Sequence, residues 1–122
     1  MKIKYAIHSV DNNKLYSDFW EPVSKIWRLR FNITPVLLAV MKKEEFEEAN
    51  FCKKYGEVIN FEPLDNVPTH LQAQLIRFWY TKYFAEDVCI LSDIDMFPIS
   101  KKYFIEQLQH IEEEKYVHLY SN

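Results

Sequence analysis

A chain of 122 residues with a single glycine, Gly56, cannot build the phosphate loops that depend on glycine. A dinucleotide-binding turn uses several glycines so that the main chain can approach a pyrophosphate, and a P-loop has the same requirement. Any nucleotide bound here must be gripped by other means. Cysteine is almost as scarce. Cys52 and Cys89 lack a ligand-like spacing, and Cys89 lies within an apolar run, so the pair reads as reduced thiols of a cytoplasmic protein rather than a thiolate metal site. There is no basic excess either. Fifteen Lys and Arg against 18 Asp and Glu leave a formal charge of −3, which argues against a nucleic-acid partner. No apolar run reaches the length of a membrane span, and Met1-Lys2-Ile3-Lys4-Tyr5-Ala6-Ile7 passes straight into a strand pattern with nothing resembling a signal peptide.

Aromatic residues, by contrast, are plentiful. Eight Tyr, nine Phe and three Trp predict a heavily packed aromatic core. The length suits one compact domain, 1–122, and no linker, repeat or low-complexity segment divides it.

Hydrophobic patterning alternates between strand and helix. Strands are expected over Ile3–Val10, Thr34–Val40, Glu57–Phe61 and Val88–Ser92, with a fifth over 116–120. A first helix is expected to open at Asp18, with Glu21 completing a capping box, and to carry the apolar stripe Phe19, Val23, Ile26, Trp27 and Leu29. A charged helix over 43–55 should end at Gly56 as its C′ residue. After a loop over 63–68, Thr69 and Gln72 form a second capping-box pattern that opens a helix running to about 84. A last helix is expected over 101–114, capped by Ser100.

This alternation predicts an α/β fold: a Rossmann-like, mostly parallel sheet in the order 3-2-1-4-5, with helices on both faces. That order sets strands one and four side by side, which makes a topological switch point where ligands bind beyond the carboxyl ends of the strands. His8, Ser9, Asp11 and Asn12 arrive there from strand one, and Asp93 and Asp95 from strand four. His8 is expected to be a satisfied, buried histidine. Asp11 is suited equally to accepting hydrogen bonds from a base or ribose and to forming a turn with Asn12 and Asn13.

The segment Ser92-Asp93-Ile94-Asp95-Met96-Phe97-Pro98 follows directly on the apolar run Val88-Cys89-Ile90-Leu91. In extended backbone, Asp93 and Asp95 can project to one side while Ile94 turns back into the protein. Two converging carboxylates repel unless a cation compensates, and a hard ion such as Mn2+ or Mg2+ suits their oxygens. On the helix from Thr69, His70, Gln74, Arg77 and Thr81 are spaced to share one face among otherwise apolar residues, so this helix should be buried on several sides. Arg77 is suited to a phosphate or a carboxylate. The acidic run Glu112-Glu113-Glu114 reads as a solvated helix end.

Taken together, Ile90-Leu91-Ser92-Asp93-Ile94-Asp95-Met96-Phe97-Pro98, Gln74-Leu75-Ile76-Arg77 and the strand end Ser9-Val10-Asp11 resemble the metal-dependent, nucleotide-sugar-using glycosyltransferases of the GT-A fold. The resemblance implies the N-terminal, donor-binding half of such a domain. It implies that Asp95, with Asp93, holds Mn2+ or Mg2+ on the donor diphosphate, and that Asp93 contacts the ribose or donor sugar, directly or through water. Ser9, Val10 and Asp11 would line the base and ribose pocket, with Gln74 and Arg77 near the donor. The implied donor is a UDP- or GDP-linked sugar, and the acceptor a glycan, a lipid-linked sugar or a protein. Complete domains of that family are longer, and their later half supplies the acceptor site and any catalytic base. The chain is therefore expected to be a truncated domain, with no catalytic residue assigned. Two alternatives remain: an Asp-x-Asp phosphohydrolase, which would ordinarily carry its motif on the first strand, and a non-catalytic module that binds nucleotide sugar or has aspartates serving only as caps.

Overall fold

The computed structural model describes residues 3–84, 88–92, 94 and 119–120. Its core is a parallel sheet. Strand β1 (Ile3–Val10) pairs with β2 (Thr34–Val40) on one side and β4 (Val88–Ser92) on the other, and β3 (Glu57–Phe61) pairs with β2. All three pairings are parallel, in the order β3-β2-β1-β4. The expected fifth strand is described only as β5 (Leu119–Tyr120), which pairs parallel to β4 through Leu91↔Leu119 and Ser92↔Tyr120.

The strand sequences are apolar almost throughout because β1 and β2 are covered on both faces. Alternation sends Ala6 of β1 towards helix α2 (Trp20–Phe31), where it packs with Val23, Trp27 and Phe31. Its neighbour Ile7 faces the other way and packs with Val36, Leu38 and Leu91 against Ile76 and Tyr80 of helix α4 (Thr69–Tyr80). Leu37 and Ala39 join Val10, Trp20 and Ile94 in a third cluster, with Phe46 of the short helix α3 (Lys43–Ala49) packed against it. Helices thus cover both faces, as expected.

The helix boundaries depart from expectation in instructive ways. Asp18 caps nothing. The chain first forms a four-residue helix, α1 (Lys14–Ser17), capped by Asn13, whose side chain accepts the Leu15 N–H at 3.0 Å. The N–H of Asp18 closes that turn onto the Lys14 carbonyl, and α2 follows with Phe19 at its N-cap. Helix α3 stops at Ala49, short of Tyr55, because Asn50 takes a left-handed conformation at φ 48°. Asn32 does the same after α2 at φ 54°. In a chain with one glycine, asparagine fills the left-handed positions among the described residues, its short polar side chain tolerating them best.

Gly56 has a different use from the expected helix terminus. A β-carbon there would lie 2.1 Å from the Pro35 carbonyl oxygen, so only glycine lets the chain entering β3 run this close to β2. Gln72 is likewise drawn away from its expected capping box. Its amide clasps the preceding loop, donating to the carbonyls of Leu64 at 3.0 Å and Val67 at 2.8 Å and accepting the Leu64 N–H at 2.8 Å. Helix α4 ends at Tyr80 and continues as a 3-10 turn over Thr81–Phe84. Nor is α4 enclosed on several sides: Ala73 is its one fully buried residue, and Leu71, Leu75, Phe78 and Trp79 form an exposed apolar stripe. Among the described residues no helix is long and apolar enough to cross a membrane. The helix expected over 101–114, with Ser100 and the run Glu112-Glu113-Glu114, lies outside the described residues.

Candidate functional site

β1 leaves the sheet towards β2 and β4 enters on its other flank, so the sheet parts at the carboxyl ends of these two strands. A cleft of about 520 Å3 opens there. Ser9, Val10 and Asp11 form its floor from β1, and Ile94, two residues beyond β4, forms part of its wall. From α4 come His70, Ala73, Gln74 and Arg77, whose spacing sets them on one helical face. Thr81, the next position of that stripe, turns elsewhere and donates its hydroxyl to the Phe78 carbonyl at 2.6 Å.

Five residues singled out from the sequence, Ser9, Val10, Asp11, Gln74 and Arg77, therefore share one cavity. Two of them also hold it together. The Ser9 hydroxyl donates to the Ala73 carbonyl and ties α4 to β1. The Asp11 carboxylate accepts the Asn13 N–H at 2.9 Å, so its turn-forming role is realised, and its other oxygen accepts the Thr69 hydroxyl at 3.1 Å. A carboxylate has about four lone-pair sites, so neither bond consumes its capacity for a ligand. Arg77 is half-buried on the cleft wall, and His70 and Gln74 are exposed.

Asp93 and Asp95 lie outside the described residues. Ile94 between them is 5% exposed and packs with Val10 and Trp20, in line with the expectation that it turns inward. Among the described residues no group of three or more His, Cys, Asp and Glu is arranged to hold a metal ion. The donor chemistry of the acidic pair, two carboxylates two positions apart, suits a hard divalent cation.

Immediately before that pair, His8 and Ser92 meet. His8 is completely buried, as expected, with Nδ1 3.0 Å from the Ser92 carbonyl oxygen. Its ring lies between two indoles, 6.1 Å from Trp20 and 6.2 Å from Trp27.

A second cavity of about 490 Å3 shares Asp11 with the first but lies towards α1, α2 and α3. Asp18, Glu21, Glu45 and Glu48 line it, with Lys14 as its one cationic side chain. The charged lining of this second cavity is therefore mostly acidic, whereas the first cleft carries Arg77 beside Asp11. Asn13 and Tyr16, which sequence reasoning did not assign to the site, line that first cleft, as does His70 from the polar stripe of the helix. The i, i+4, i+7 spacing of His70 with Gln74 and Arg77 carried that signal; Tyr16, on a helix of four residues, offered none.

Compared with protein-family models, with curated proteins and with solved structures, the chain finds no match.

Proposed function

We propose that this chain is the donor-binding part of a metal-dependent glycosyltransferase of GT-A type, and that it holds a UDP- or GDP-linked sugar in the cleft at the ends of β1 and β4. The observation that carries the reading is the meeting of Ser9, Val10, Asp11, Gln74 and Arg77 in one cavity at the switch point of a parallel sheet. In such sheets the crevice beyond the strand ends is where ligands bind.

In this reading the Val10–Asp11 strand end receives the base and ribose, with the carboxylate of Asp11 accepting ribose hydroxyls. Arg77 and Gln74 face the diphosphate, the guanidinium matching its oxygens. Asp93 and Asp95 are joined by peptide bonds to Ile94, a residue of the cleft wall, and supply the oxygens for Mn2+ or Mg2+. When bound, the ion stabilises the negative charge that grows on the departing nucleoside diphosphate. It also takes the place of the glycine-rich loop that one glycine cannot provide. The acceptor is a glycan, a lipid-linked sugar or a protein. A cytoplasmic setting fits a chain whose two cysteines, Cys52 and Cys89, lack a ligand-like spacing.

Calorimetric titration with UDP and GDP, in the presence and absence of Mn2+, tests the proposal. Binding of one nucleotide that strengthens with Mn2+ is expected, and that enhancement should vanish in Asp95→Ala. Absence of metal-enhanced binding to either nucleotide overturns it.

A further inference from the structure

We propose that His8 is a positioning residue whose imidazole fixes the point at which β4 delivers the chain into the Asp93-Ile94-Asp95 segment. The inference rests on the donor-binding reading above and adds a residue that touches neither metal nor nucleotide.

A histidine at this place is unexpected on packing grounds alone. His8 occupies a central strand, is 0% exposed and lies against Trp20 and Trp27. An aliphatic side chain would fill such a site without the cost of burying a polar ring. The net stability gained from one neutral hydrogen bond is small. What the imidazole provides, and an aliphatic side chain cannot, is a directed donor. A carbonyl oxygen only accepts, so the proton lies on Nδ1 and points at Ser92.

The location of that bond gives it consequence. Among the described residues the β1–β4 register runs from Ile3↔Val88 to Ile7↔Leu91. His8 and Ser92 are the next residue of each strand, so the side chain adds a link between the strands just beyond that register. The peptide group is planar. Holding the Ser92 oxygen therefore fixes the plane from which the following residue, Asp93, begins. Trp20 and Trp27 confine the ring and prevent it from following a wandering carbonyl, and Trp20 is itself anchored by its indole N–H to the Cys52 carbonyl at 2.8 Å. The same Trp20 packs with Ile94 on the far side of the acidic residue. Trp20 thus lies beside the histidine that holds Ser92 and shares a buried cluster with Ile94.

Three variants test this. His8→Asn keeps an amide N–H close to the Nδ1 position, His8→Leu keeps apolar bulk without a donor, and His8→Gln carries its amide one bond too far. For each, UDP and GDP affinity is measured with and without Mn2+, together with the melting temperature. All three are expected to melt below wild type, because each disturbs a packed site. The Mn2+ enhancement should separate them: retained in His8→Asn, and reduced about tenfold or more in His8→Leu and His8→Gln, the usual effect of losing a group that orients metal ligands. Nucleotide binding without metal should be alike in all. Full Mn2+ enhancement in His8→Leu overturns the proposal, as does an equal loss in His8→Asn and His8→Leu. Should His8→Leu fail to fold, the contrast between His8→Asn and His8→Gln decides in the same way. Absence of any Mn2+ enhancement in the wild type removes the nucleotide-sugar reading, and the role of His8 with it.

Discussion

Thr69 donates its hydroxyl to the carboxylate of Asp11 across 3.1 Å, joining the first residue of α4 to the first residue after β1. With the bond from Ser9 to the Ala73 carbonyl, it sets the distance between the strand end and the helix face that together make the cleft. The wall carrying Arg77 is held by these two contacts, made one turn apart on the same face of α4.

Replacing Thr69 by Val keeps the branched shape and removes the donor. A stability loss of about 1 kcal/mol is expected, with Thr69→Ser close to wild type. Denaturant midpoints of the two variants measure the difference.

Arg77→Ala should weaken nucleoside diphosphate binding about tenfold or more, the worth of a charge-assisted hydrogen bond. Leu75→Ala, on the exposed face of the same helix, should leave affinity unchanged. Equal affinities for both variants by titration calorimetry would show that the diphosphate does not lie against Arg77.

Gly56→Ala introduces a β-carbon into a space where the Pro35 carbonyl oxygen lies 2.1 Å away and its Cγ 2.6 Å away. Because the nearer atom is backbone, it cannot rotate aside, and about 2 kcal/mol or more of stability should be lost. Pro35→Ala in the same chain removes the ring atom but leaves the carbonyl, and should not restore the melting temperature.

Asn32 closes α2 at φ 54° and ψ 39°, where a β-carbon is disfavoured. Asn32→Ala should cost about 1 kcal/mol, while Asn32→Gly should be neutral or mildly stabilising. Thermal unfolding of the pair gives the sign directly.

The strand framework was readable from residue order because burial on two faces leaves an unambiguous signature. The runs over 35–41 and 88–91 are apolar without a break, and polar residues bound them, Thr34 and Lys42 for the first and Asp87 and Ser92 for the second. Strand order followed from connection rules, and the cleft followed from strand order. That is why Ser9 and Asp11 could be assigned to the switch point, whereas Arg77 was brought to it by its place on a polar helical stripe and by the family resemblance. Helix ends were less readable, because capping patterns compete with longer-range partners that the local sequence does not reveal. Thr69 and Gln72 have the spacing of a capping box, but Asp11 claims the hydroxyl and the loop at Leu64 claims the amide. Asp18 and Glu21 have it too, but Asn13 nucleates a turn earlier. Gly56 was read for its conformational freedom, when its use is its lack of a side chain beside Pro35. The partnership of His8 with Ser92 was invisible for the same reason: they are 84 positions apart in the chain.

The three tryptophans are unequally placed. Trp20 and Trp27 are 1% and 0% exposed around His8, whereas Trp79 is 52% exposed with the Lys82 ammonium 3.7 Å from its ring centre. Excited by near-ultraviolet light, the first two indoles emit from a dry surrounding and the third from water. A collisional quencher such as acrylamide reaches Trp79 and spares the others. With Trp79 replaced by Phe, the remaining emission becomes an optical gauge of the junction between the first and fourth strands, read in solution without a label.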